Sequence, residues 1–169
     1  HIAEAMTRWM APIMSFTAQE IWEALPGERS DYVFTSVWYE GLQAPTNTQF
    51  SNDDWQAILN VRDEVNRLLE AARKEEVIGA ALQATVNLFA GEELANKLTA
   101  LGDELRFVLL TSAVNVTRVD SQPADTQETE IEGLYISVAA TDAAKCERCW
   151  HYSDDVGVEP THPEICGRC

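Results

Sequence analysis

Cys146-Glu-Arg-Cys-Trp-His-Tyr-Ser-Asp-Asp-Val-Gly-Val-Glu-Pro-Thr-His-Pro-Glu-Ile-Cys-Gly-Arg-Cys169 contains all four cysteines of the chain. They form two C-x-x-C knuckles, Cys146/Cys149 and Cys166/Cys169, with residues 150–165 between them. Two such pairs separated by roughly 15–20 residues are the pattern of a structural zinc site. Each knuckle aims two thiolates at one side of a metal about 2.3 Å away, and the second pair completes a tetrahedron. Gly157, Pro160 and Pro163 suit a connecting loop that turns back on itself. Four protein ligands leave no position for a reacting water, so the expected role is structural, with one Zn2+ held by Cys146, Cys149, Cys166 and Cys169.

Other uses of these cysteines fit less well. Disulfides require an oxidising compartment, and no stretch has the composition of a secretory leader. A redox C-x-x-C occurs once, in a thioredoxin-like βαβ setting, rather than twice. His151 or His162 could replace a thiolate, but four cysteines already fill the site. Both are therefore expected to be ordinary loop histidines.

The 169 residues allow one ordinary domain or two small ones. No apolar run approaches the ~18 residues of a membrane span, so no membrane partner is expected. The formal net charge is −16, from 28 acidic and 12 basic residues. That opposes non-specific binding to nucleic acid, which depends on neutralising phosphates. A local, shape-directed contact by a few arginines and aromatics is still open.

Outward from the knuckles, the chain reads as α+β. Ile2, Met6, Trp9, Ile13 and Phe16 recur at helical steps. Pro12 divides them into a helix ending near Met14 and a second over Ala18–Leu25, capped by Thr17 with Glu20. Trp9, Met10, Met14 and Trp22 read as packing residues. Tyr32–Tyr39 reads as an extended segment, and Ala44-Pro45-Thr46-Asn47 as a loop. From Asp53 a helical period runs to Ala72, with Asp53 or Asp54 as cap. Leu82–Ala90 alternates as a strand. Glu92–Leu101 and Glu104–Leu110, the latter capped by Asp103, read as short helices. Val114–Val119 and Leu134–Ala140 read as two more strands. Asp120–Glu130 is acidic and reads as a mobile loop. The expected organisation is 1–40 as the last helices of a bundle plus an extended segment, and 41–52 as a linker. Residues 53–140 would then be a small α+β domain with an antiparallel sheet, and 141–169 the knuckle.

No phosphate-cradling glycine loop and no nucleophile–histidine constellation is present, so no active site is expected. Candidate binding residues are Arg148 and Trp150, which flank Cys149. Arginine can pair with a phosphate or a guanine edge, and tryptophan can stack on an unstacked base. The competing reading has Trp150 packing the knuckle onto the sheet and Arg148 meeting Glu147 or Asp154. Arg62, Arg67, Arg73 and Lys74 make either a phosphate-facing helix or a solvated one, and Glu64, Glu70, Glu75 and Glu76 oppose their charge.

Met10-Ala-Pro-Ile-Met-Ser-Phe-Thr-Ala-Gln-Glu-Ile-Trp22 resembles the end of the anticodon-binding bundle in class I aminoacyl-tRNA synthetases for isoleucine, valine, leucine and methionine. With the K-C-E-R-C-W-H-Y knuckle, the resemblance narrows to bacterial-type isoleucyl-tRNA synthetases and covers essentially the whole chain. It implies a cytoplasmic, monomeric synthetase that attaches isoleucine to tRNA. ATP would be used in a nucleotide-binding domain whose motifs are missing here, as is the editing domain, so the fragment is expected to be inactive alone. It also implies that Arg148 and Trp150 contact the anticodon stem-loop. The alternative from another functional class is a zinc-stabilised acidic protein-interaction domain.

Overall fold

The computed structural model describes residues 1–43 and 49–169. They fall into two compact units, His1–Gln49 and Phe50–Cys169. The loop expected at Ala44-Pro45-Thr46-Asn47 lies outside the described residues.

In the first unit, α1 spans Ile2–Met10 and α2 spans Ser15–Ala24. Pro12 offers no N–H to the carbonyl of Arg8, and α1 stops before the expected Met14. The chain keeps turning through Met14, whose N–H donates to Met10 O at 2.8 Å. Thr17 does not cap α2: it lies inside the first turn, and the N-cap residue Met14 makes no side-chain cap bond. Ala11, Ala18, Trp22 and Val33 form a small core, and the Trp22 indole N–H donates to Ser30 O at 2.8 Å. Trp9 and Met14, expected to pack, are about half exposed. Within the segment expected to be extended, Val33–Thr35 forms a 3-10 turn.

The second unit is built on α3, Asn52–Lys74. Its cap is Ser51, not an aspartate: Ser51 accepts from Asp54 N, and the Asp54 side chain accepts from Ser51 N. This reciprocal pair satisfies two of the N–H groups a helix start leaves open. Ile58, Val61, Val65, Leu68, Leu69 and Ala72 form the buried stripe. Next come β1 (Ala84–Ala90), α4 (Glu92–Thr99), α5 (Leu105–Leu109) and β2 (Ala113–Arg118). A two-residue strand β3 (Gln127–Glu128) and β4 (Leu134–Ala140) complete the order. Asp103 caps nothing; its carboxylate pairs with Arg106.

The sheet order is β2-β1-β4-β3. β1–β4 and β3–β4 are antiparallel, as expected, but β1–β2 is parallel. The crossover through α4 and α5 returns the chain to the same end of the sheet, which enforces the parallel pairing. β3 adds a fourth strand in the stretch expected to be a loop. Ala84, Val86, Leu88 and Ala90 of β1 alternate into the core with Leu134 and Ile136 of β4, against the stripe of α3.

Two substitutions test this account. Ser51→Ala is expected to cost about 1 kcal/mol through loss of the cap. Leu88→Ala, which opens a cavity in the central strand, is expected to cost about 2–5 kcal/mol. Denaturant unfolding of both variants measures the difference; equal costs would contradict the assigned roles.

Candidate metal centre and its aromatic rim

The metal-ligating side chains converge because both C-x-x-C segments are tight turns tied to each other. The first turn closes through Trp150 N–H to Cys146 O at 2.9 Å, and Cys146 N–H donates to His151 O at 2.8 Å. The second closes through Cys169 N–H to Cys166 O at 2.9 Å. Lys145 and Tyr152 form a β-bridge at the base. Glu147 N–H to Glu164 O at 3.0 Å and Gly157 N–H to Ile165 O at 3.1 Å join the first half of the loop to the second.

The four sulfurs all lie within 4.8 Å of one another. Cys149 Sγ and Cys166 Sγ are 3.7 Å apart, and none of the four is in a disulfide. A tetrahedron with metal–sulfur bonds of about 2.3 Å has edges of about 3.8 Å, so the spacing fits one zinc ion and excludes a sulfur–sulfur bond.

The electrostatics agree. The backbone N–H of Cys149, with those of Cys166 and Arg148, draws the Cys146 thiol down to about 6 against the opposing effect of burial. Burial and then hydrogen bonds with neighbouring thiols push Cys169 up to about 12, and burial also raises Cys149. One thiolate thus forms readily, while burial opposes the ionised form of Cys149 and Cys169. A divalent cation removes that conflict.

Asp155 supports the second turn, and nothing in its sequence context pointed to it. Its Oδ2 accepts from Gly167 N–H at 3.0 Å, between the second pair of cysteines. A hydrogen bond from Ser153, then the Gly167 N–H, holds its carboxyl below the usual range. The knuckle is docked on α5 and β2. Tyr152 N–H donates to Ser112 Oγ at 2.7 Å, and His151 packs on Phe107 with ring centroids 5.1 Å apart. The Arg168 guanidinium lies 4.0 Å from the Phe107 ring centroid.

Trp150 does not pack the knuckle onto the sheet. It is 62 % exposed and has a left-handed backbone with φ 65°. For a non-glycine residue that conformation costs roughly 1–2 kcal/mol. Arg148 meets neither Glu147 nor Asp154; its Nη1 donates to Cys169 O at 2.6 Å and the side chain is exposed. Lys145, overlooked in the sequence, places Nζ 5.3 Å from the Trp150 ring centroid. On α3, Arg67 pairs with Glu64 at 2.7 Å and Arg73 with Glu70 at 2.8 Å. Arg62 is half-buried and Lys74 exposed at the helix end.

The cations sort unevenly. Arg8, Arg67, Arg73, Lys97, Arg106 and Arg118 each pair with a carboxylate. Among the described residues this leaves Arg29, Arg62, Lys74, Lys145, Arg148 and Arg168 without one, and the last three lie in the knuckle.

Comparison with known proteins gives two family matches, one across the boundary of the two units and one on the knuckle. Residues 1–88 match a family model described as the anticodon-binding domain of tRNA ligase. Residues 144–169 match one described as a zinc finger found in FPG and IleRS. Over its whole length the chain is 89 % identical to an isoleucine–tRNA ligase of Pseudoalteromonas translucida. It is 59 % identical to one of Aeromonas hydrophila and 55 % identical to one of Shewanella amazonensis, again over its whole length. The chain spans 18 % of the length of each of these relatives. The zinc-finger match and the four-thiol cluster coincide, and the chain carries a structural zinc site.

The purified protein is expected to hold about one zinc per chain under reducing conditions. Metal analysis showing none, or a disulfide among these cysteines, would contradict this. Asp155→Ala should weaken zinc binding about 10–100-fold, as loss of a residue supporting metal ligands does. Chelator competition measures it, and unchanged affinity would remove Asp155 from the site.

Proposed function

We propose that this chain, which belongs to the family of anticodon-binding domains of tRNA ligases, is the tRNA-recognition end of an isoleucine–tRNA ligase. The larger enzyme would activate isoleucine with ATP in a domain outside this segment and transfer it to tRNA. This segment meets the anticodon stem-loop and has no ligase activity of its own. The protein acts as a monomer in the cytoplasm. Cys146, Cys149, Cys166 and Cys169 hold one zinc, which fixes the turn carrying Arg148 and Trp150.

The observation that carries this reading is the state of Trp150. A large aromatic ring is held in solvent by a left-handed backbone at the rim of the metal turn. Such strain survives only where the surroundings impose it, and it concentrates at functional positions. An exposed indole on a rigid turn is a stacking platform for an unstacked loop base, which an anticodon supplies. Arg148, its guanidinium oriented through Cys169 O, retains free N–H groups beside that platform. Half of the cations without a carboxylate partner sit in the knuckle, which supplies local donors within an acidic chain. Arg62 and Lys74, without carboxylate partners on α3, supply the next candidate surface, with Arg67 and Arg73 attenuated by their carboxylates.

Trp150→Gly separates the two demands on this position. Glycine accepts the left-handed backbone without strain, so zinc retention and folding stability should be equal or better. Loss of one stacked base should weaken tRNA binding by the full-length ligase about five- to a hundredfold, with ATP-dependent activation of isoleucine unchanged. Arg148→Ala should weaken tRNA binding in the same way. If both variants keep zinc and bind tRNA normally, the contact lies elsewhere.

A further inference from the structure

We propose that Lys145 is a phosphate-binding residue of the same surface, taking a phosphodiester of the nucleotide whose base stacks on Trp150. This rests on the stacking role of Trp150 and adds to it a charge contact with a distinct signature. The Lys145 ammonium lies 5.3 Å from the Trp150 ring centroid, and both side chains are exposed. Among the described residues Lys145 has no carboxylate partner, although the chain carries 28 acidic residues. Its backbone is fixed on both sides, by the bridge to Tyr152 and by the adjacent Cys146 N–H bond to His151 O. The head group is therefore presented from a rigid base, not from a free tail.

The geometry assigns the two partners different parts of one nucleotide. An ammonium over one face of an indole is attracted by the ring's negative face, and the opposite face stays available for a base. A base stacked there carries its own phosphates at the edge of the platform. Lysine, a compact point charge with three rotatable donors, suits such a phosphate. Arg148, whose planar fork is already oriented by Cys169 O, is better placed for a flat edge than for following a flexible backbone. The carboxylates nearest in sequence, Glu147 and Asp142, make no ion pair with Lys145, so its ammonium is not committed to either.

The test is the salt dependence of tRNA binding by the full-length ligase. Lys145→Met keeps the aliphatic stem against Trp150 and removes the charge. It is expected to flatten the plot of log affinity against log salt by about 0.7, the value of one single-strand phosphate contact. Binding then falls severalfold at low salt and converges with the parent protein at high salt. Lys145→Arg is expected to restore the slope. Trp150→Ala serves as the other arm, weakening binding by a similar factor at every salt concentration. An unchanged slope in Lys145→Met, whether or not affinity falls, would overturn the proposal, since a lysine that only props the indole acts independently of salt. A flattened slope with full binding by Trp150→Ala would instead uphold the phosphate contact and remove the stacking role.

Discussion

Four sulfurs held within 4.8 Å of one another are the constraint on which the C-terminal knuckle depends. Four thiolates at that spacing would repel one another, and without a cation backbone N–H groups draw Cys146 down while burial pushes Cys169 up. With a cation, the repulsion becomes four bonds, and two turns with no helix or strand of their own become rigid. Everything at the rim follows from those turns. Trp150 lies between two bonds that close the first turn, its own N–H to Cys146 O and Cys146 N–H to His151 O, and there its backbone is left-handed and its indole exposed. Arg148 is oriented by the last carbonyl of the second turn, and Lys145 sits on the bridge that closes the first.

The same arrangement reconciles a strongly acidic chain with the polyanionic partner proposed for it. Net charge acts at long range and is screened over about 10 Å at ordinary salt. Contact depends on the groups at the surface that is touched. Along α3 the arginines at 67 and 73 are matched by glutamates three residues earlier on the same face. In the knuckle, Lys145, Arg148 and Arg168 lack such partners. A net charge of −16 therefore disfavours indiscriminate binding, and the proposed contact rests on individual cations held free of ion pairs, which is a form of specificity.

Local features were the legible ones. C-x-x-C spacing dictates its chemistry within a few residues, and the period of α3 announces a buried stripe. The cap of α3 was misread because Ser51 lies one residue outside the helix, and its reciprocal partner is Asp54 instead of the commoner glutamate. The Thr17…Glu20 pattern looked like a cap, but the turn through Met14 had already begun α2. Parallel pairing of β1 with β2 depends on a crossover, which alternation within a strand cannot report. β3 is two exposed polar residues and has no apolar signal. The exposure of Trp150 ran against the usual burial of tryptophan. It arises from a backbone angle set by the metal turn, and no residue type at that position announces it. Asp155 acts through a backbone N–H across the loop, so only the folded chain brings it to the site.

The central claim is that the zinc-fixed turn presents Trp150 to the anticodon. The most direct measurement follows the five indole N–H resonances by NMR as an anticodon stem-loop RNA is added to the zinc-loaded protein. The Trp150 resonance, assigned with Trp150→Phe, should shift in proportion to bound RNA while that of buried Trp22 stays in place. Removing the zinc should abolish the shift. A Trp150 resonance unmoved at saturating RNA, or one that moves equally without zinc, would contradict the account.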